Sequence, residues 1–194
     1  MSRAANSAGT VRIIGGQLRN SRLQVPTIEG LRPTSERLRE TLFNWLAPRL
    51  AGMRVLDLFA GTGALGIEAL SRGAGSACFV ERDRMAATAL EQNLQRLRLL
   101  PSPARLIRSE AAAFLEGRPE AHDLVLLDPP FAKDLWAETA ARLESGGWLA
   151  ESAWIYLESP LGQLPSLPDN WSLHREGRAG AVRYALYRRN AGLG

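Results

Sequence analysis

The sequence predicts an α/β fold: a mostly parallel β-sheet with an antiparallel C-terminal hairpin, preceded by an N-terminal β-hairpin and helix. Three observations lead there. From Arg54 onward, short apolar runs alternate with segments of helical periodicity, the pattern of a sheet covered on both faces. A glycine-rich turn joins the first of these runs to the first of these helices. At both ends of the chain, pairs of β-like runs flank glycines, as in hairpins.

Residues 1–9 are small and polar and are expected to form a flexible tail. Residues 10–14 and 17–25 are β-like runs around Gly15-Gly16, which suggests a hairpin turning on that pair. After Arg32-Pro33, Thr34 or Ser35 can cap a helix whose apolar positions Leu38, Leu42, Trp45, Leu46 and Leu50 follow helical spacing. Pro48 makes its last turn irregular. The boundary to the main domain falls near Ala51-Gly52, so residues 10–51 form an extension and 52–194 the main domain. Within that domain, strands are predicted at 55–59, 77–80, 105–108, 123–127 and 154–158. Helices are predicted at 64–72, 84–98, 111–115 and 135–143. Residues 171–176 and 182–188, joined near Gly177–Gly180, read as the closing hairpin.

At 194 residues, 45% hydrophobic and 23% charged, the chain has the composition of a soluble globular protein. No apolar run approaches the roughly 18 residues that span a bilayer, and the N-terminus lacks the apolar segment of a signal peptide. One cysteine, Cys78, makes no internal disulfide and suits a reducing cytoplasm. The net charge of +4 is unevenly spread. Residues 1–54 carry nine Arg against three Glu, residues 55–170 ten bases against sixteen acids, and residues 171–194 five Arg against one Glu. Basic ends around an acidic middle describe a polyanion-binding face on a separate catalytic core. Arg outnumbers Lys 23 to one, which suits phosphate recognition but equally reflects genomic base composition.

The richest stretch runs from Val55 to Gly66. Gly61, Gly63 and Gly66 match the dinucleotide-binding pattern, for which a NAD enzyme is one reading. Asp57 favours another. A carboxylate at the strand end repels phosphates but attracts the amino group and sulfonium of S-adenosylmethionine. Phe59 and Thr62 lie in the same loop. Glu81, at the end of the second strand, is placed to accept hydrogen bonds from both ribose hydroxyls, as it would be in a NAD site too. Glu110 follows the third strand and could take the adenine amino group. Without that context it is a charge at a helix N-terminus.

Asp128-Pro129-Pro130-Phe131 closes the fourth strand, where two prolines hold the backbone rigid. An exocyclic amine of a base is a poor nucleophile because its lone pair is delocalised into the ring. The Asp128 carboxylate and Pro129 carbonyl form a pair of acceptors for its N–H bonds, and they also stabilise the positive charge that develops during methyl transfer. Phe131 offers a face for an extruded base. Cys78 lies within a predicted strand and reads as a buried small residue rather than a nucleophile. His122 and His174 have no metal-ligand spacing with each other or with Cys78, so no metal site is expected.

Together these residues resemble the RsmD-type bacterial 16S ribosomal RNA guanine-N2 methyltransferases. The resemblance covers nearly the whole chain after the tail: Arg12-Ile13-Ile14-Gly15-Gly16, Arg32-Pro33-Thr34, Arg39-Glu40, Leu42-Phe43-Asn44, the 57–66 loop, Glu81, Asn93, residues 128–131 and 171–176. It implies a class I S-adenosylmethionine-dependent methyltransferase fold, Rossmann-like, with the hairpin-and-helix extension. It also implies a substrate guanine on the small ribosomal subunit or its assembly intermediate. Under it, Asp57, Gly61, Gly63 and Glu81 bind the cofactor, and Asp128 and Phe131 handle the base. Arg12, Arg19, Arg22, Arg32 and Thr34 are the expected RNA-facing residues, Arg32 and Thr34 near the mouth of the site. Where the family pattern has Asp after the third strand, this chain has Glu110. A monomer is expected. The competing readings are a DNA adenine-N6 methyltransferase using the same tetrapeptide, and a non-catalytic RNA-binding assembly factor on the same fold.

Overall fold

A computed structural model describes residues 9–28, 34–131 and 135–190. Two short strands come first, β1 (Gly9–Arg12) and β2 (Arg22–Val25), paired antiparallel from Gly9 opposite Val25 to Arg12 opposite Arg22. Gly9, expected in the tail, therefore starts β1. Helix α1 (Glu36–Leu46) is capped by Ser35, whose hydroxyl accepts from the Leu38 amide at 3.3 Å. It ends before Pro48, as the ring requires. The main domain then runs β3 (Arg54–Asp57), α2 (Ala64–Ser71), β4 (Ser76–Glu81), α3 (Arg84–Arg96), β5 (Ala104–Arg108), α4 (Ala111–Leu115), β6 (His122–Leu127), α5 (Trp136–Ser145), β7 (Leu149–Pro160), β8 (Trp171–Ala179) and β9 (Val182–Arg189).

These last seven strands form one sheet in the order β5-β4-β3-β6-β7-β9-β8. The first five are parallel, and β9 joins antiparallel between β7 and β8. Chain order reverses between β3 and β6, so the crevice beyond their carboxyl ends is the topological switch point where such folds bind ligands. Alternate side chains point to opposite faces. Val55, Phe79, Leu124, Leu126 and Tyr156 pack into one apolar cluster with residues of α1, α2, α3 and the N-terminal hairpin. Leu56, Val80, Val125, Leu127 and Leu157 pack into another with residues of α4 and α5, including the fully buried Trp136, and with Trp148 just before β7. The N-terminal extension thus has no core of its own: it completes one face of the sheet.

The hairpin departs from expectation at Gly15-Gly16. These glycines are not its turn, because residues 13–21 form a longer connection closed by Ile13 N–H to the Ser21 carbonyl at 2.8 Å and Asn20 N–H to the Ile13 carbonyl at 2.9 Å. They mark where the connection lies against the end of α2. Gly16 has φ +77°, and a Cβ there would sit 1.8 Å from the Ser71 carbonyl oxygen; one on Gly15 would sit 2.7 Å from the Arg72 guanidinium. At Gly16, where the clash is with backbone and φ is positive, only glycine permits that approach.

A charge holds the approach in place. Glu68, on α2 and fully buried, accepts from the amides of Ile14 at 2.9 Å and Gly15 at 2.8 Å, from Arg39 Nη1 at 3.0 Å and from Arg72 Nε at 2.8 Å. Arg39, equally buried on α1, also donates to the carbonyls of Arg12 at 2.8 Å and Thr34 at 3.3 Å. Asn93 on α3 docks the other strand, accepting from the Gln24 amide at 3.0 Å and donating to the Gln24 carbonyl at 2.9 Å. Glu68→Ala leaves the Arg39 cation buried without its carboxylate and is expected to cost about 3–5 kcal/mol. Denaturant unfolding measures the loss, and hydrogen exchange should show the Ile14 and Gly15 amides losing protection first.

Candidate active site

A cavity of about 920 Å³ opens at the carboxyl ends of β3, β4, β6 and β7. Its lining includes Asp57 to Thr62, Glu81, Glu110 and Asp128 to Phe131 from the sequence-predicted site, together with Thr34, Leu38 and Glu158. Leu38 on α1 and Ala179 and Val182 on the closing hairpin also border it, so the extension and the C-terminal strands help wall a site whose floor is the parallel sheet.

Asp57 ends β3 and is 2% exposed. Its Oδ2 accepts from the Gly66 amide at 3.0 Å, near the start of α2. The turn between them needs its glycines: Gly61 and Gly63 have φ of +52° and +74°, and a Cβ on Gly66 would meet the Phe79 ring at 2.3 Å. Thr62 Oγ1 accepts from the Ala64 amide at 3.3 Å, and Phe59 is half-buried along the wall. Burial pushes the Asp57 carboxyl up to about 7, against the Gly66 hydrogen bond, with the Glu81 charge adding to the rise. A buried carboxylate with one hydrogen bond and no cation among the described residues is a site for a positively charged ligand group.

Glu81 closes β4. Its Oε2 accepts from the Gly61 amide at 2.7 Å and its Oε1 from the Asp83 amide at 2.7 Å. Each oxygen keeps a lone pair, so the fixed carboxylate can still accept from a ribose diol. Glu110 stands at the rim, exposed, 3.3 Å from Arg82, and makes no side-chain cap on α4. Asp57, Glu81 and Glu110 thus set three carboxylates along the wall of one cavity.

On the neighbouring strands, β6 and β7 run parallel with Leu127 opposite Leu157, so Asp128 and Glu158 follow side by side. Asp128 is half-buried and Glu158 is 5% exposed. Glu158 Oε1 accepts from Thr34 Oγ1 at 3.0 Å and from Tyr156 Oη at 2.8 Å. Burial first, then the Glu158 and Asp57 charges, holds Asp128 well above the ordinary carboxylate range, while the Thr34 hydroxyl opposes the rise. Burial also raises Glu158, opposed by the Tyr156 and Thr34 hydroxyls. Phe131 packs against Trp136 with ring centroids 5.7 Å apart, and Trp136 Nε1 donates to the Glu158 carbonyl at 2.7 Å.

Of the residues expected to face RNA, Thr34 lies within the cavity on Glu158. Arg12 is held by Glu36 at 2.8 Å, whereas Arg19 and Arg22 are exposed on the hairpin without an acidic partner among the described residues. Arg32 lies outside the described residues. Cys78 is buried and does not line the cavity; burial raises its thiol. The sequence reading missed Glu158, Tyr156 and the part played by Thr34. Glu158 did carry a signal, as an acidic residue ending a predicted parallel strand, which is where ligand-binding groups of such sheets sit.

Asp57 supports a stability test. Its folded-state pKa lies above the unfolded value, so the protein loses stability as pH rises from about 4 to about 7, by roughly 1–4 kcal/mol. Asn keeps an acceptor for the Gly66 amide without the charge. Asp57→Asn is expected to raise the melting temperature of the ligand-free protein at about pH 8. The gain should shrink as the pH falls toward 4, which thermal unfolding across that range checks.

Comparison with known proteins places this architecture. Residues 11–188 match the family model described as conserved hypothetical protein 95. The chain is 50% identical over 187 residues to ribosomal RNA small subunit methyltransferase D of Escherichia coli, covering 96% of this chain and 93% of that one. It is 42% identical over 184 residues to the protein of the same name in Haemophilus influenzae, covering 94% and 95%. A solved methyltransferase structure from Escherichia coli superposes with a TM-score of 0.87 at 51% identity, covering 94% of this chain and 99% of that one. At 12% identity, a methyltransferase structure complexed with SAH shares the fold alone, with a TM-score of 0.72 over 97% of this chain and 57% of that one. The chain belongs to the conserved hypothetical protein 95 family, that of ribosomal RNA small subunit methyltransferase D.

Proposed function

We propose that this chain transfers the methyl group of S-adenosylmethionine to the exocyclic N2 of a guanine in 16S ribosomal RNA, on the small ribosomal subunit or its assembly intermediate in the cytoplasm. The observation that carries the reading is one cavity uniting Asp57 and Glu81 with Asp128, Pro129 and Phe131. The relatives' name supports the ribosomal substrate. The choice of guanine N2 draws on the sequence resemblance set out above.

When bound, S-adenosylmethionine supplies an electrophilic methyl group on a positively charged sulfur. Asp57 is the counter-charge for its cationic end, and Glu81 accepts from the ribose hydroxyls. Gly61, Thr62 and Gly63 shape the turn against it, Phe59 borders it, and Glu110 accepts from the adenine amino group. Asp128 and the Pro129 carbonyl accept the two N–H bonds of the target amine. They draw the nitrogen toward pyramidal geometry and stabilise its developing charge, a preorganised effect of about 3–4 kcal/mol per group. Phe131, already braced by Trp136, stacks on the extruded base. Once methylated, the nitrogen is acidic enough to lose its proton without a strong base. Arg19 and Arg22 contact RNA phosphates from the exposed face of the hairpin.

Asp128→Ala should lower methyl transfer from labelled cofactor to unmodified small subunits by about 10²–10³-fold while leaving cofactor affinity near wild type by calorimetry. Full activity in that variant would falsify the mechanism, and mass mapping of the product nucleoside tests the guanine N2 assignment. Arg19→Ala and Arg22→Ala should each weaken RNA binding and reduce the slope of log affinity against log salt by about one. An unchanged slope removes that arginine from the phosphate contacts.

A further inference from the structure

Glu158 has no part in the mechanism above, yet it is the most enclosed of the acids around the reacting end of the cavity after Asp57. It is 5% exposed, lines the cavity and has no cationic partner among the described residues. A carboxylate buried beside a second carboxylate destabilises a fold, and an apolar side chain of the same size would pack there without that cost. Its surroundings nevertheless fix it in place. Tyr156 and Thr34 both donate to Oε1, and Trp136 holds the Glu158 backbone carbonyl. Oε2 receives no donor among the described residues.

We infer that Glu158 selects guanine, its carboxylate accepting the N1–H of the base whose exocyclic amine is held by Asp128 and Pro129. The inference rests on the methyl-transfer reading above. Guanine presents N1–H and the N2 amine as neighbouring donors on its Watson–Crick edge, and flipped bases are read along that edge. The neighbouring residues Asp128 and Glu158, side by side at the ends of β6 and β7, present acceptors to such a pair. Adenine reverses the pattern next to its own amine, because its N1 is an acceptor and faces a carboxylate with no donor between them. The two hydroxyls on Oε1 favour the ionised form of Glu158, against the burial that raises it. Trp136 contacts both parts of the reader: it braces the Phe131 ring and fixes the strand end that carries Glu158.

2-Aminopurine keeps the 2-amine, replaces N1–H with a bare acceptor nitrogen and also lacks O6, so the change in preference between wild type and a Glu158 variant isolates this contact. Small subunits would be reconstituted with ligated 16S RNA carrying guanine or 2-aminopurine at the methylated position, and kcat/KM for methyl transfer measured on each. The wild-type protein is expected to prefer guanine by about tenfold or more. Glu158→Gln, whose amide can donate to a bare N1, should bring the ratio close to one or invert it, with cofactor affinity unchanged in calorimetry. Tyr156→Phe, which loosens the carboxylate without removing it, should narrow the ratio in the same direction and serves if the Gln variant does not fold. A wild-type protein without preference overturns the inference, as does a folded Gln variant that loses rate equally on both bases. A wild-type product other than N2-methylguanine overturns the methyl-transfer reading itself, a result visible before any variant is made.

Discussion

A carboxylate removed from water must be matched by donors, and at Glu68 the donors come from three separate stretches of chain. Arg39 reaches it from α1, the amides of Ile14 and Gly15 from the connection between β1 and β2, and Arg72 from its own helix. Paired this fully, the charge is tolerated; with any donor absent, its burial is unfavourable by several kcal/mol. The pair therefore accepts only one placement of the hairpin and α1 on the sheet. That placement brings Thr34 and Leu38 to the cavity, since Thr34 immediately precedes the Ser35 cap and its carbonyl is itself held by Arg39. The active-site wall depends on an ion pair in which no residue of the reacting centre takes part.

The acids at the reacting end follow the opposite logic. Asp57, Asp128 and Glu158 sit at the ends of adjacent strands, each raised by burial, and no cation among the described residues offsets them. A fold selected for stability alone has no use for such a group. Under the proposed function, a cationic cofactor and an amine acceptor offset that cost by bringing positive charge and N–H donors.

Charge along the chain maps onto this division of labour. The acidic middle of the sequence supplies most of the cavity lining, and the basic N-terminal part contains the hairpin with exposed Arg19 and Arg22. Not every arginine is available to a polyanion, however. Arg12 pairs with Glu36, and Arg39 is fully buried, so an excess of basic residues in sequence overstates the free positive surface.

Local information was sufficient for much of this. Alternating apolar runs and helical periods marked the seven-stranded architecture, and the glycine-rich turn and Asp128-Pro129-Pro130-Phe131 marked two parts of one cavity wall. Each depends on neighbouring residues and the end of one strand. Gly15-Gly16 looked like a turn because glycine pairs make turns; its true reason is contact with Ser71 and Arg72, some 56 residues away, which no local pattern carries. The same holds for Arg39 with Glu68, and for Glu158, whose neighbours Asp128 and Thr34 come from distant segments. Strand and turn chemistry are short-range and written along the chain. Which buried charges meet is set by the sheet order and by the docking of the extension, and only the tertiary structure decides that.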